Sequence, residues 1–144
     1  MIGPAHHVGI AVRRLDDALA GYRAFGFEPE EVEEVPSQGV RVAFLRAGDV
    51  RLEFLESLAP DGVIARFLER RGEGLHHLAF AVDDIRSELG RLKAAGLELV
   101  DAEPRPGAHG RLVAFVHPRS AQGVLVELVE VRPAAPRPRH RQHR

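Results

Sequence analysis

Two histidines and two glutamates recur at matching points of this chain. HVGIAV at residues 7–12 returns as HLAFAV at 77–82, and LEFLE at 52–56 returns as VELVE at 126–130. Each half therefore supplies one histidine, His7 or His77, and one glutamate, Glu53 or Glu127. A lone strand histidine is usually structural, and a lone strand glutamate often faces solvent. The same pair duplicated on duplicated segments points instead to four ligands gathered around a pseudo-two-fold axis. Glu53 lies between Leu52 and Phe54, and Glu127 between Val126 and Leu128. A carboxylate buried in such a strand is costly unless it is paired or metal-bound. Two imidazoles and two carboxylates, with no thiolate, suit a divalent first-row ion with open positions better than a closed structural zinc site. A substrate oxygen entering an open position would find its negative charge stabilised there.

The elements that must carry these residues read as β-α-β-β-β in each half. In the first half, residues 6–12 form a strand. A helix then starts near Asp16 and Asp17, runs to about Phe25 and stops at Gly26. Residues 28–35 are an acidic strand ending at Pro36, and two further strands, 40–48 and 49–57, join at a Gly48-Asp49 hairpin turn. The second half repeats the plan with a strand at 76–82 and a helix at 84–95, which carries Ile85, Leu89 and Leu92 on one face. Gly96 is at the stop, 70 residues after Gly26. Strands follow at LELVDAEPR (97–105), 111–118 and 123–131. Between the halves, IARFLERRGEG reads as a short helix ended by Gly72. Residues 1–131 thus form one domain of two βαβββ repeats, about 6–57 and 76–131.

Side chains alternate across a strand. His7, Gly9 and Ala11 share one face, as do His77, Ala79 and Ala81, while the bulky Val8, Ile10, Leu78 and Phe80 face the other way, toward the helices. The small residues leave space beside both imidazoles, the pattern of a cleft with ligands at its base. By the same parity His6 and His76 face the opposite side, as partners of backbone or water. His109 and His117 lie near strand ends, and His117 reads as a turn cap. Gln38, beside the third strand, is either a substrate contact or a turn residue.

Composition bounds the rest. The net charge is −1, so the whole chain has no bias toward nucleic acid or an anionic membrane. The balance hides an asymmetry. Residues 132–144, RPAAPRPRHRQHR, hold five arginines and no acid, which leaves the remainder at a net −6. This Pro- and Arg-rich tail is expected to be disordered. There is no cysteine, hence no disulfide framework. With neither a signal peptide nor a long apolar run in the sequence, a cytoplasmic location is the expectation.

Paired βαβββ modules with a histidine and a glutamate in each resemble the vicinal oxygen chelate superfamily, whose members include glyoxalases, bleomycin resistance proteins and dioxygenases. Within it the strings QGVRVAFL, IARFLERRGEGLHHLAFAVDDI, EPRPGAHG, VAFVHPRS and GVLVELVE resemble the methylmalonyl-CoA epimerase family, from residue 6 to about 131. The resemblance implies an α+β fold, two tandem βαβββ modules forming a curved mixed sheet around a metal cleft. It implies His7, Glu53, His77 and Glu127 as metal ligands, the Glu53 position being Gln in some members. It further implies a divalent ion, cobalt first with Mn2+, Ni2+, Zn2+ or Mg2+ as alternatives, an acyl-CoA substrate and a homodimer. Some members carry a further active-site glutamate on the strand after QGV, where this chain, like other members, has an apolar residue, Val42.

The activity so implied is epimerisation at C2 of methylmalonyl-CoA, with the proton removed to give an enolate and returned on the other face. Glu127 is the expected acid/base on one face, and Glu53 is the candidate for the other. Arg41, Arg105, Arg111 and Arg119, at strand ends or in loops, are candidates for the CoA phosphates. A glyoxalase I-type lyase, a ring-cleaving dioxygenase using only two histidines and one glutamate, and a metal-free drug-binding protein of the same fold are the alternatives. Bound-metal stoichiometry and C2 proton exchange discriminate among them.

Overall fold

In a computed structural model, which describes residues 2–131, the chain forms one mixed eight-stranded sheet with three helices. In chain order the elements are β1 (Ala5–Ala11), α1 (Leu15–Arg23), β2 (Pro29–Val35), β3 (Val40–Ala47), β4 (Val50–Ser57) and α2 (Val63–Arg71). They continue with β5 (Gly74–Val82), α3 (Ile85–Ala94), β6 (Arg105–Pro106), β7 (Leu112–Val116) and β8 (Val126–Glu130). The strand order is β2-β3-β4-β1-β5-β8-β7-β6. The two modules meet at the antiparallel β1–β5 pair, and each lays its last strand parallel to its first, β4 on β1 and β8 on β5. The fold is the α+β arrangement expected from the repeat. The tail at 132–144 lies outside the described residues. Among the described residues no helix is long and apolar enough to cross a membrane.

The duplication extends to the helix ends. Both α1 and α3 finish in the same motif: Phe27 N–H donates to Tyr22 and Leu97 N–H to Leu92, with Gly26 (φ 96°) and Gly96 (φ 88°) in the left-handed conformation between. At the other end, Glu56 accepts from the N–H of Leu15 and Glu130 from that of Ile85, so the last strand of each module holds the start of its helix. Leu15 and Leu19 of α1 pack on Ala43, Leu45 and Phe54; Ile85, Leu89 and Leu92 of α3 pack on Ala114, Val116 and Leu128. Apolar residues of β3, β4, β7 and β8 therefore lie under the helices, and of the bulky residues expected there on the first strands Ile10 packs with α1. The short helix α2 breaks the symmetry, placing Ile64 and Leu68 against Ala11, Val40, Val42 and Leu55 on the opposite face of the first module.

One expected strand is mostly absent. Of residues 97–105 only Arg105, followed by Pro106, is in a strand, and Leu99 forms an isolated bridge to Val116. The Asp101 carboxylate accepts from the N–H of Phe115 at 2.9 Å, where a ladder carbonyl would stand, while the Phe115 carbonyl takes the N–H groups of both Val100 and Asp101. Pro104 and Pro106 have no N–H to offer. β8 also starts three residues later than expected, at Val126.

The sheet curls until its two edges touch. The turn at Ala108–Gly110, after β6, lies against β2: His109 N–H donates to the Glu33 carboxylate (3.1 and 3.2 Å), and its Nε2 bonds Glu31. Ser37 Oγ donates to the carbonyl of Pro106. His109 holds φ at 61°, uncommon for a residue with a side chain, and its ring packs on Phe44 with centroids 5.1 Å apart. The place of the His77 ring depends on Gly9, because a Cβ built there would meet the ring at 2.1 Å. Gly9→Ala should therefore displace His77 and destabilise the protein by about 1–3 kcal/mol, read from the midpoint of urea unfolding. Wild-type stability would show that the ring can move aside without cost.

Candidate metal centre

Strand register builds the site in two rows. Across β3, β4, β1 and β5 the partners run Phe44, Glu53, Gly9, His77. Across β7, β8, β5 and β1 they run Phe115, Glu127, Ala79, His7. His7 and His77 thus each stand opposite a small residue of the other module, and each glutamate sits beside that small residue. An aromatic ring closes each row, with His7 edge-on to Phe44 (6.3 Å) and His77 edge-on to Phe115 (5.6 Å).

The four side chains converge. His7 Nε2 lies 2.8 Å from Glu127 Oε1 and 3.3 Å from Glu53 Oε1, while His77 Nε2 lies 3.2 Å from each; the two Nε2 atoms are 3.1 Å apart. All four residues are buried, and one ligand atom from each falls within 4.8 Å of the others. Adjacent donors around an octahedral ion with bonds of about 2.1 Å stand roughly 3.0 Å apart, so these spacings are those of a coordination shell. The fit has a second sign. Glu127 Oε1 is buried and makes no hydrogen bond of proper geometry, although two imidazole nitrogens are near it. The donor set and its geometry indicate a divalent metal ion.

His6 and His76 depart from the parity expectation. The β1–β5 register slips by one residue at His6 on the first strand and at His76 on the second. These twin bulges interrupt the alternation. His6 Nδ1 stands 2.8 Å from His7 Nδ1, and His76 Nδ1 stands 2.9 Å from His77 Nδ1. Each thus meets the neighbouring histidine of the buried cluster. His6 also lines the same cavity as His7, Gln38, Phe44, His109 and Arg111. The HH dipeptides were visible in the sequence, but their bulges were not. His117, by contrast, caps a turn as expected, its Nδ1 accepting from Arg119 N–H.

Electrostatics follow from the packing. Burial alone would lower the His77 pKa, but the Glu127 charge, with help from Glu53, outweighs it and raises the group to about 10. His7 is raised for the same reasons. Burial likewise opposes ionisation of Glu53 and Glu127, yet the two imidazoles hold both below the usual carboxylate range. His6 and His76 are lowered to about 4, by burial first and then by the neighbouring ligand histidine.

Opposite pH dependences follow for the ion-free and loaded proteins. The raised His77 stabilises the ion-free fold fully below its unfolded value of 6.5, and that contribution is lost as pH rises toward about 10. Ligation needs neutral imidazoles, so metal affinity should rise over the same window and uptake should release protons. Melting temperatures of chelator-treated and metal-loaded protein across this range, with proton release measured in weak buffer, check both signs. A melting temperature of the chelator-treated protein that climbs with pH would contradict the assignment.

Comparison with known proteins agrees with the geometry. Ethylmalonyl-CoA/methylmalonyl-CoA epimerase of Cereibacter sphaeroides is 41% identical over 134 residues, 91% of this chain and 100% of that protein. Human mitochondrial methylmalonyl-CoA epimerase is 38% identical, covering 88% of this chain and 73% of that one. Among solved structures, a variant of Streptomyces coelicolor methylmalonyl-CoA epimerase in complex with 2-nitronate-propionyl-CoA superimposes with a TM-score of 0.87 at 34% identity, over 94% of this chain and 100% of the other. The family model for the Glyoxalase/Bleomycin resistance protein/Dioxygenase superfamily matches residues 6–115, and the chain belongs to that superfamily.

Proposed function

We propose that this protein is a methylmalonyl-CoA epimerase, an isomerase that interconverts the (2R) and (2S) thioesters. The observation that carries this reading is the convergence of one histidine and one glutamate from each module on a single buried point, in a chain whose relatives are named for that activity. We further propose His7, Glu53, His77 and Glu127 as the ligands, cobalt as the ion, a homodimer as the assembly and the cytoplasm as the location.

The C2 hydrogen of the substrate lies between a thioester and a carboxylate, so its removal leaves charge that spreads onto oxygen. A divalent ion in the site supplies Lewis acidity for that charge. The chain's own residues supply the proton transfers. Inversion needs one group on each face of C2. Glu127 on β8 and Glu53 on β4 flank the central β1–β5 pair from opposite modules, an arrangement suited to that task. The two imidazoles hold both below the usual carboxylate range, so both are ionised at neutral pH. Phe44 and Phe115 stand beside them in the register.

Deuterium exchange at C2 of methylmalonyl-CoA tests the reading. Glu127→Gln should lower exchange by at least about a hundredfold while metal remains bound, because an amide offers an oxygen ligand but is a poor base. Exchange at the wild-type rate would remove Glu127 from the chemistry. Glu53→Gln separates the two roles of that residue. Full activity would leave Glu53 as a ligand only, whereas a loss matching that of Glu127→Gln would make it the second acid/base.

A further inference from the structure

The four arginines singled out in the sequence meet different partners. Arg41 is paired with Asp16 and Glu56 at 3.9 and 3.8 Å. Arg105 is paired with Asp101 at 3.7 Å and lies over the Phe115 ring. Arg119 is paired with Glu98 at 3.8 Å. Arg111 differs from these three. Among the described residues it has no carboxylate at ion-pair distance; its NH1 donates to Nε2 of His6 at 2.9 Å. It is half-buried and lines the cavity that holds His7, Glu53 and Glu127.

A guanidinium does not lose its proton in a protein. Partly withdrawn from water and facing a ring that carries no negative charge, it keeps a full positive charge and unused donors of its planar fork. Such a group matches a carboxylate, which it can bind through two parallel hydrogen bonds. The cavity's own carboxylates do not serve, because Glu53 and Glu127 are turned to the ligand imidazoles. The anion must come from outside.

We propose that Arg111 is the receptor for the free carboxylate of the substrate's acyl group, held in place by His6, and that it selects malonyl-type thioesters over acyl-CoAs without that carboxylate. The inference rests on the epimerase reading. His6 Nε2 stands 2.9 Å from Arg111 NH1 and His6 Nδ1 stands 2.8 Å from His7 Nδ1, so one imidazole sets the spacing between the anion receptor and the proposed metal ligands. The CoA phosphates are the other source of negative charge. They are separated from the acyl carbon by the whole pantetheine arm, whereas only the His6 ring lies between Arg111 and His7, which favours the acyl carboxylate.

The test compares Arg111→Met with Arg111→Lys in metal-loaded protein. Arg111→Met should raise the Michaelis constant for methylmalonyl-CoA about ten- to a hundredfold, the span of a charge-assisted hydrogen bond, with metal affinity unchanged. Arg111→Lys, which keeps the charge without the fork, should lose less. Alpha-proton exchange of propionyl-CoA, which lacks the carboxylate, should be the same in wild type and variants. Malonate should inhibit wild type competitively and lose that effect in Arg111→Met, while inhibition by free CoA should persist. The reverse, CoA inhibition lost and malonate inhibition kept, would overturn the proposal in favour of a phosphate contact. An unchanged Michaelis constant in Arg111→Met, with wild-type turnover intact, would overturn Arg111 alone. Wild-type protein that does not exchange the C2 proton would overturn the epimerase reading itself. If Arg111→Met does not fold, the Lys variant decides through the malonate and CoA arms.

Discussion

Two carboxylates and two imidazoles buried within 4.8 Å of one another dictate much of this structure. Burying a charge is expensive unless opposite charges or a metal compensate it. Here each glutamate reaches both histidines, so no group is left alone with its charge. The arrangement needs space as well as charge balance. The four side chains fit on one sheet face because their row neighbours are Gly9 and Ala79. A larger residue at Gly9 would occupy the volume of the His77 ring. The small strip through the centre of the sheet is therefore part of the site; most of the hydrophobic core lies on the helix side and beneath α2, and a small cluster of Ala79, Val113 and Val129 borders the cavity.

Much of this was legible in the sequence because it is duplicated. His7 and His77, Glu53 and Glu127, and Gly26 and Gly96 occur at matching positions, and a period-two alternation then assigns each ligand to a face. What the sequence hid was local backbone irregularity. His6 and His76 alternate correctly on paper, yet the register slip at each removes the alternation in the one place where it mattered. Nothing in the composition of a strand announces a bulge. The short β6 was concealed for a related reason: Leu97, Leu99 and Val100 have strand propensity, but a side-chain carboxylate, Asp101, captures the N–H that a ladder would use. Local hydrogen bonding of this kind competes with secondary structure.

The closure of the sheet was invisible for another reason. The contact of His109 with Glu31 and Glu33 spans more than seventy residues, and neither partner belongs to a repeated motif. Its geometry explains why a histidine tolerates φ 61° there: the N–H is held by Glu33, the ring by Phe44 and the Nε2 by Glu31. Several contacts together outweigh a backbone cost of order 1–3 kcal/mol. The clasp joins the second module to the outer strand of the first, and Ala108 and His109 line the same cavity as His7, Glu53 and Glu127.

Symmetry and asymmetry consequently carry different parts of the chemistry. The symmetric elements, two histidines, two glutamates, two aromatic rings and two bulges, create a centre with no preference between modules. That suits a reaction that handles the two faces of one carbon alike. Discrimination among ligands has to come from elements without a symmetric counterpart. α2 fills the inner face of the first module only, and the 106–110 turn crosses to β2 only. Arg111 reaches His6, whereas His76 has the Phe67 ring against it in place of a cation. A substrate with one thioester and one carboxylate is itself asymmetric about its reacting carbon. A single guanidinium on one side of an otherwise duplicated site gives such a molecule one orientation, and leaves the duplicated ligands free to treat its two faces equally.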